Sequence, residues 1–62
     1  MIVEIRSTRC VILDGTLSWK GKRSLFAAGE SFAVNDMQYE ILAVNKSDFQ
    51  ENVFNATLRE LK

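Results

Sequence analysis

The chain has 62 residues, with eight basic and eight acidic side chains that cancel to a net charge of zero. This length allows one domain at most, and the balanced charge excludes a polycation that binds nucleic acid or membranes by charge alone. One cysteine and no histidine exclude an internal disulfide and a zinc site with four protein ligands. Domains this small usually need a disulfide, a metal or oligomerisation to be stable, so we expect self-association rather than a monomer.

The sequence contains neither a membrane span nor an export signal of the usual kind. No run of about 18 apolar residues exists, and residues 1–6 lack the basic start and apolar stretch of a signal peptide. A lone cysteine is typical of a reducing compartment. We therefore expect a cytoplasmic protein with no membrane contact.

The N-terminal third predicts a strand followed by a hairpin. Residues 2–6 alternate apolar and charged side chains, and the pair Asp14-Gly15 stands between two strand-like segments. Asp-Gly favours a two-residue hairpin turn, in which both central residues reach positive φ. Pairing across that turn puts four apolar side chains on one face, because side chains alternate along a strand. These are Cys10, Ile12, Leu17 and Trp19.

The middle of the chain predicts a second hairpin, over residues 31–44, that turns at Asn35-Asp36. Its register places Phe32 beside Tyr39 and Val34 beside Met37. We expect Leu42 and Val44 on the opposite face from Tyr39 and Ile41. Residues 25–29, just before this hairpin, fit either a strand or one helical turn closed by glycine.

The C-terminal segment, residues 48–62, allows a strand or a helix. Residues 54–59 alternate apolar and polar side chains, which favours a closing strand. Residues 47–50 fit a capping box instead, and a helix from there would share one polar face. That face would carry Asn52, Asn55, Arg59 and Lys62. We favour the strand.

These elements predict one all-β domain over residues 1–62, a small five-stranded, partly open barrel or sandwich. Apolar side chains of every strand meet in its core. The predicted core comprises Val3, Ile5, Cys10, Ile12, Leu17, Trp19, Phe32, Val34, Tyr39, Ile41, Phe54, Ala56 and Leu58.

We expect no enzyme, cofactor, metal or small-molecule substrate. Catalysis near neutral pH usually needs a histidine, an activated nucleophile, a carboxylate pair or a metal. Histidine is absent, and the carboxylates are scattered singly along the chain. Cys10 lies in the inward register of the first hairpin, so we interpret it as a small buried hydrophobe.

One candidate binding surface is basic. It comprises Arg6, Arg9, Lys20, Lys22 and Arg23. The hairpin register sets Lys20 opposite Arg9, a like-charge pair that a phosphate backbone or an acidic protein would relieve. A solvated turn neutralised by nearby acids such as Glu4 explains the same cluster. We favour that explanation, because single-stranded nucleic-acid sites also use exposed aromatic side chains.

A second candidate surface is apolar. Val11 and Leu13 fall on the outward face of the first hairpin, where they indicate an interface. Residues 1–6 and 53–61 are the candidate sheet edges. They either pair with each other and close the barrel, or add to a neighbouring sheet.

Residues 28–44 read Gly-acidic, a short strand, a polar turn and an aromatic–acidic–aliphatic strand. This segment resembles hairpins of small SH3-like β-barrels, including head–tail joining proteins of tailed phages and prophages. The resemblance implies a non-enzymatic protein that assembles with copies of itself or with a neighbour. Protein interaction is therefore the leading prediction, and a nucleic-acid-binding barrel that uses Arg9, Lys20, Lys22 and Arg23 is the alternative.

Overall fold

Residues 1–61 form one antiparallel sheet of six strands, in the order β1-β2-β3-β6-β5-β4. A computed structural model describes residues 1–61. The strands are β1 Ile2–Ile5, β2 Thr8–Leu13, β3 Thr16–Lys20, β4 Ser31–Val34, β5 Met37–Lys46 and β6 Val53–Leu61. The all-β prediction is confirmed. The described residues form one strand more than the five predicted, because every alternating segment forms a separate strand.

The first hairpin has the predicted register. Cys10 lies opposite Trp19 and Ile12 opposite Leu17, and Asp14 and Gly15 both take positive φ in the turn. A further tight turn, at Arg6-Ser7, joins β1 to β2. Both of its residues also have positive φ, although neither is of a type that favours it. Sequence patterns therefore gave no signal for this turn.

The second hairpin also pairs as predicted, with Phe32 opposite Tyr39 and Val34 opposite Met37. The face predicted for Val44 was wrong. A bulge at Leu42 shifts the register between Ile41 and Ala43, and the extra residue reverses the alternation after it. Leu42 stays on the outer face, but Val44 turns inward and packs against the core.

The C-terminal segment forms a strand, so the helical alternative was wrong. β6 is not an edge, as one prediction had it, because it pairs with β3 on one side and β5 on the other. The edges of the sheet are β1 and β4, so β1 and β6 do not close the barrel together. Lys62, the last residue of the predicted segment, lies outside the described residues.

The connection between β3 and β4 fills one end of the barrel. It contains a short 3₁₀ helix, Arg23–Leu25, and then an extended residue, Phe26. This segment is neither the strand nor the glycine-closed helical turn predicted for residues 25–29. Phe26 is only 1% exposed, and its ring packs edge-on against Trp19 with 4.7 Å between ring centroids.

The core lies on the concave side of the curled sheet. All thirteen predicted core residues are either buried or packed against the buried cluster. The sequence prediction omitted Phe26, Leu25 and Val44, which join them there. Phe26 was missed because it follows no strand alternation, and Val44 because of the bulge.

The curled sheet nearly closes on itself. Side chains connect the two edge strands at both of their ends, with Asn35 Nδ2 3.6 Å from Met1 Sδ and Arg6 paired with Glu30 at 3.1 Å. Among residues 1–61, no backbone ladder joins β1 to β4. The result is a six-stranded barrel with one seam, which we call the β1–β4 seam.

Candidate interaction surfaces

The outer face of β1 and β2 carries exposed apolar side chains. Ile2 lies directly opposite Val11, and Leu13 lies two residues further along the same face of β2. Ile2 is 70% exposed and Leu13 64%, which are large values for aliphatic side chains in sheet positions. We call Ile2, Val11 and Leu13 the apolar patch. Val11 and Leu13 were predicted to lie on this surface, and Ile2 extends it.

Uncharged side chains continue from the apolar patch across the next three strands. Val11 pairs with Ser18, which pairs with Asn55, which in turn pairs with Asn45. Ser18 Oγ lies 2.7 Å from Asn55 Oδ1 and donates a hydrogen bond to it. A parallel row continues from Leu13, and it comprises Thr16, Thr57 and Ala43. This central band of the outer face is therefore free of charge, as the middle of protein interfaces tends to be.

Charged residues border the apolar patch on one side. Glu4 and Arg9 lie directly opposite each other on β1 and β2, in the row next to Ile2 and Val11. An acid and a base thus stand side by side at the rim. This arrangement is electrostatically self-complementary, because a second copy related by a two-fold axis can place its Arg9 against this Glu4.

Arg6 has a structural environment rather than an open one. Its guanidinium group donates hydrogen bonds to the Leu25 carbonyl and to Glu30 Oε1, and it lies 5.0 Å from the centroid of the Phe26 ring. Glu30 Oε1 also accepts a hydrogen bond from the backbone N–H of Ala27. That backbone hydrogen bond, together with the one from Arg6, holds the pKa of the Glu30 carboxyl below its ordinary value.

The remaining predicted basic residues lie at the end of the barrel where β3 finishes. Lys20, Lys22 and Arg23 are all exposed there. Lys46, at the end of β5, is exposed at the same end of the barrel, since β3 and β5 both flank the start of β6. The structure thus adds Lys46 to this group, whereas Arg6 points to Glu30 and Arg9 lies opposite Glu4.

An exposed aromatic ring lies at the same end. Phe49, in the loop between β5 and β6, is 94% exposed. The loop is fixed to the end of β3 by a hydrogen bond from the Gly21 N–H to the Asn52 carbonyl. We call Lys20, Lys22, Lys46 and Phe49 the basic end. Phe49 was missed from sequence, because its segment was interpreted only as a strand or helix start.

The opposite end of the barrel is acidic. It contains the β2–β3 and β4–β5 turns, with Asp14 and Asp36, and the last residues of β6, with Glu60. An open hollow of about 690 Å³ lies there, between the β4–β5 hairpin and the end of β6. Its lining comprises Ala33, Val34, Asn35, Asp36, Met37, Gln38, Glu60 and Leu61. We call this feature the acidic hollow.

Cys10 is fully buried, in agreement with its interpretation as a core residue. Burial raises the pKa of its thiol above the ordinary value, which disfavours the reactive thiolate. Within residues 1–61 there is no group of three histidine, cysteine or acidic side chains placed to hold a metal ion. The same residues include no helix long and apolar enough to cross a membrane.

Comparisons with models of protein families, with curated proteins and with solved structures give no match to this chain.

Proposed function

We propose that this protein is a non-enzymatic assembly module that associates with a second copy of itself through the apolar patch. The observation that carries the proposal is the exposure of Ile2, Val11 and Leu13 side by side on β1 and β2. Exposure of three adjacent aliphatic side chains to water is unfavourable. Burying them in an interface stabilises the complex by roughly 25 cal/mol per Å² of apolar surface buried. A small domain without a disulfide gains stability by such association.

A second copy fits the patch because the surface complements itself. A two-fold interface uses the same patch on both subunits, so each feature must be matched by its own symmetry mate. Apolar side chains at the centre meet this condition, and so do one acid and one base, Glu4 and Arg9, at the rim.

The edges of the sheet are less suitable for assembly than this face. The contacts of Met1 with Asn35 and of Arg6 with Glu30 cross the β1–β4 seam at both ends. An added strand would have to break them before it could pair with β1 or β4. Native sheets commonly protect their edges in this way.

The resemblance of residues 28–44 to hairpins of phage head–tail joining proteins agrees with an assembly role, and an SH3-like character of the barrel is part of this proposal. In the same view the protein acts inside the cell and needs no cofactor.

Light scattering across a range of concentrations tests the proposal. We expect the wild-type protein to form a multimer, and Leu13→Lys to lower its association constant by at least about tenfold, because a buried unpaired charge costs more than 1.4 kcal/mol. Leu42→Lys is the matched control, since it makes the same change at an exposed leucine on β5. Equal masses for wild type and Leu13→Lys at every concentration would contradict the proposal.

The alternative function, nucleic-acid binding, has one feature in its favour: the exposed ring of Phe49 lies at the same end of the barrel as Lys20, Lys22 and Lys46. Single-strand binders combine such a ring with basic side chains. Asp48 and Glu51 in the same loop oppose it. Retardation of single-stranded DNA or RNA at low salt, abolished by Lys20→Glu with Lys22→Glu, would identify this function.

A further inference from the structure

The two ends of the barrel differ in charge, although the chain is neutral. Lys20, Lys22, Arg23 and Lys46 lie at one end, where Asp48 and Glu51 only partly offset them. Asp14, Asp36 and Glu60 lie at the other end, where the Met1 ammonium group, hydrogen-bonded to the Ile12 carbonyl, offsets one of their charges and Arg59 is paired with Glu40. Among the described residues, basic side chains therefore predominate at one end of the barrel and acidic side chains at the other.

The same two ends also differ in shape. The basic end projects Phe49, whose ring is almost entirely in water. The acidic end is concave, with Val34, Met37 and Leu61 among the residues that line the acidic hollow. A projection at one end thus corresponds to a depression at the other, and the hollow, at about 690 Å³, is large enough for an aromatic side chain.

Both features lie on the β5–β6 hairpin. Phe49 is in the loop that joins these strands, while Met37 begins β5 and Leu61 ends β6. The ten residues of β5 span roughly 33 Å at about 3.3 Å per residue, and the longest dimension of the molecule is 33 Å. Phe49 and the acidic hollow therefore lie at opposite ends of the same hairpin.

We propose that copies of this protein associate head to tail, with Phe49 of one copy inserted into the acidic hollow of the next. Lys20, Lys22 and Lys46 then face Asp36 and Glu60 across the contact. The inference extends the proposed assembly function, on which it rests, by adding a second interface. Such a contact joins two different surfaces, so it leads to a ring or a filament rather than to a closed dimer.

The occupant of the hollow is a second copy because both halves of the contact are on this chain. An aromatic anchor that fills a pocket, surrounded by contacts that exclude water, is a common form of interface hot spot. The rim of lysines and carboxylates speeds the encounter and makes it sensitive to salt.

Two half-blocked variants test this contact. Phe49→Ala removes the projection and leaves the hollow, while Ala33→Arg fills the hollow and leaves the projection, because Ala33 is exposed in its lining. Both carry Leu13→Lys, so that association through the apolar patch does not contribute. We expect each to remain monomeric in light scattering, and their equimolar mixture to form a heterodimer that grows no further.

A charge exchange gives a second, independent measurement. In the same Leu13→Lys background, Lys22→Glu should weaken association by at least about tenfold, and its mixture with Glu60→Lys should recover it. Association of the Leu13→Lys protein, without further substitutions, should fall as salt is raised from 0.05 to 0.5 M. As a control in the same background, Leu42→Lys should change neither the association constant nor its dependence on salt.

Three outcomes would overturn the head-to-tail contact. The mixture of the Phe49→Ala and Ala33→Arg variants could stay monomeric, or the Phe49→Ala variant could assemble as the Leu13→Lys protein does. The third is a Leu13→Lys protein that is itself monomeric at every concentration. If Leu13→Lys alone abolishes association, the apolar patch stands as the interface and only the head-to-tail contact fails. Binding of single-stranded nucleic acid that requires Phe49, without any change in mass, would assign the basic end to that ligand instead.

Discussion

At the scale of single residues, Arg6 shows how a charged side chain can belong to the fold. From sequence it was grouped with the other basic residues as a candidate ligand contact. In the structure it joins the end of β1 to the β3–β4 connection, through Glu30, the Leu25 carbonyl and the Phe26 ring. Its position directly after a strand gave no indication of these partners, which are about twenty residues away in sequence.

The pH dependence of stability tests this connection. The pKa of Glu30 is lowered in the folded state by the Ala27 N–H and by Arg6, so the unfolded state binds protons more readily. The Glu30 carboxylate therefore stabilises the folded state above its ordinary pKa of 4.5. This stabilisation is lost as pH falls through the lower pKa of the folded state. Glu30→Gln should be less stable than wild type at pH 7, and the difference should shrink below pH 4.

Urea denaturation at pH 7 and pH 3 measures this effect. Glu51→Gln is the control, because it removes a carboxylate from the β5–β6 loop, which does not contact Arg6. A Glu30→Gln deficit that is equal at both pH values would refute the assigned role of the carboxylate.

At the scale of elements, the β3–β4 connection holds the barrel together at one end. Its central residue, Phe26, contacts rings from two different strands, Trp19 on β3 and Phe32 on β4. Trp19 Nε1 donates a hydrogen bond to the Lys22 carbonyl, at 2.9 Å, and thereby fixes the start of the connection. A segment without strand structure thus supplies one of the largest fully buried side chains.

Replacing Phe26 should be among the most damaging changes in the chain. We expect Phe26→Ala to lower the free energy of unfolding by about 3–5 kcal/mol, the usual cost of a phenylalanine-sized cavity. Phe49→Ala removes the same ring from an exposed position and should change it by no more than about 0.5 kcal/mol. Urea denaturation below the association concentration compares them, and equal effects would show that Phe26 is not a core residue.

At the scale of the whole molecule, the barrel is closed by side chains rather than by a complete ring of backbone hydrogen bonds. The Met1 amino group donates a hydrogen bond to the Ile12 carbonyl, and the Met1 carbonyl accepts one from the Ile12 N–H. Alternation along the strand therefore directs the backbone groups of Val3 toward β2 and those of Ile2 and Glu4 toward the β1–β4 seam. The same reasoning directs the backbone groups of Ser31 and Ala33 to the seam from β4.

Hydrogen exchange measured residue by residue by NMR can detect this seam. The amide protons of Glu4 and Ala33 should exchange at least about tenfold faster than that of their strand neighbours Val3 and Phe32, because only the latter are bonded within the sheet. Equal protection of the two sets would instead show that β1 and β4 pair directly in solution.

Much of the fold was predictable from the sequence because its signals are local. Asp14-Gly15 determined a turn, the turn determined the register, and the register placed Cys10 and Trp19 on the buried face, as the structure has them. The exposure of Val11 and Leu13 followed from the same alternation. Side chains that alternate with period two record which face is buried without reference to any distant segment.

What the tertiary structure alone decided is which distant segments meet. The insertion of β6 between β3 and β5, the burial of Phe26 and the inward turn of Val44 after the bulge depend on packing across the barrel. The separation of charge between the two ends depends on the direction of each strand. These features rest on contacts between residues far apart in the chain, whose energies are set by shape and burial in three dimensions, and local patterns carry no record of them.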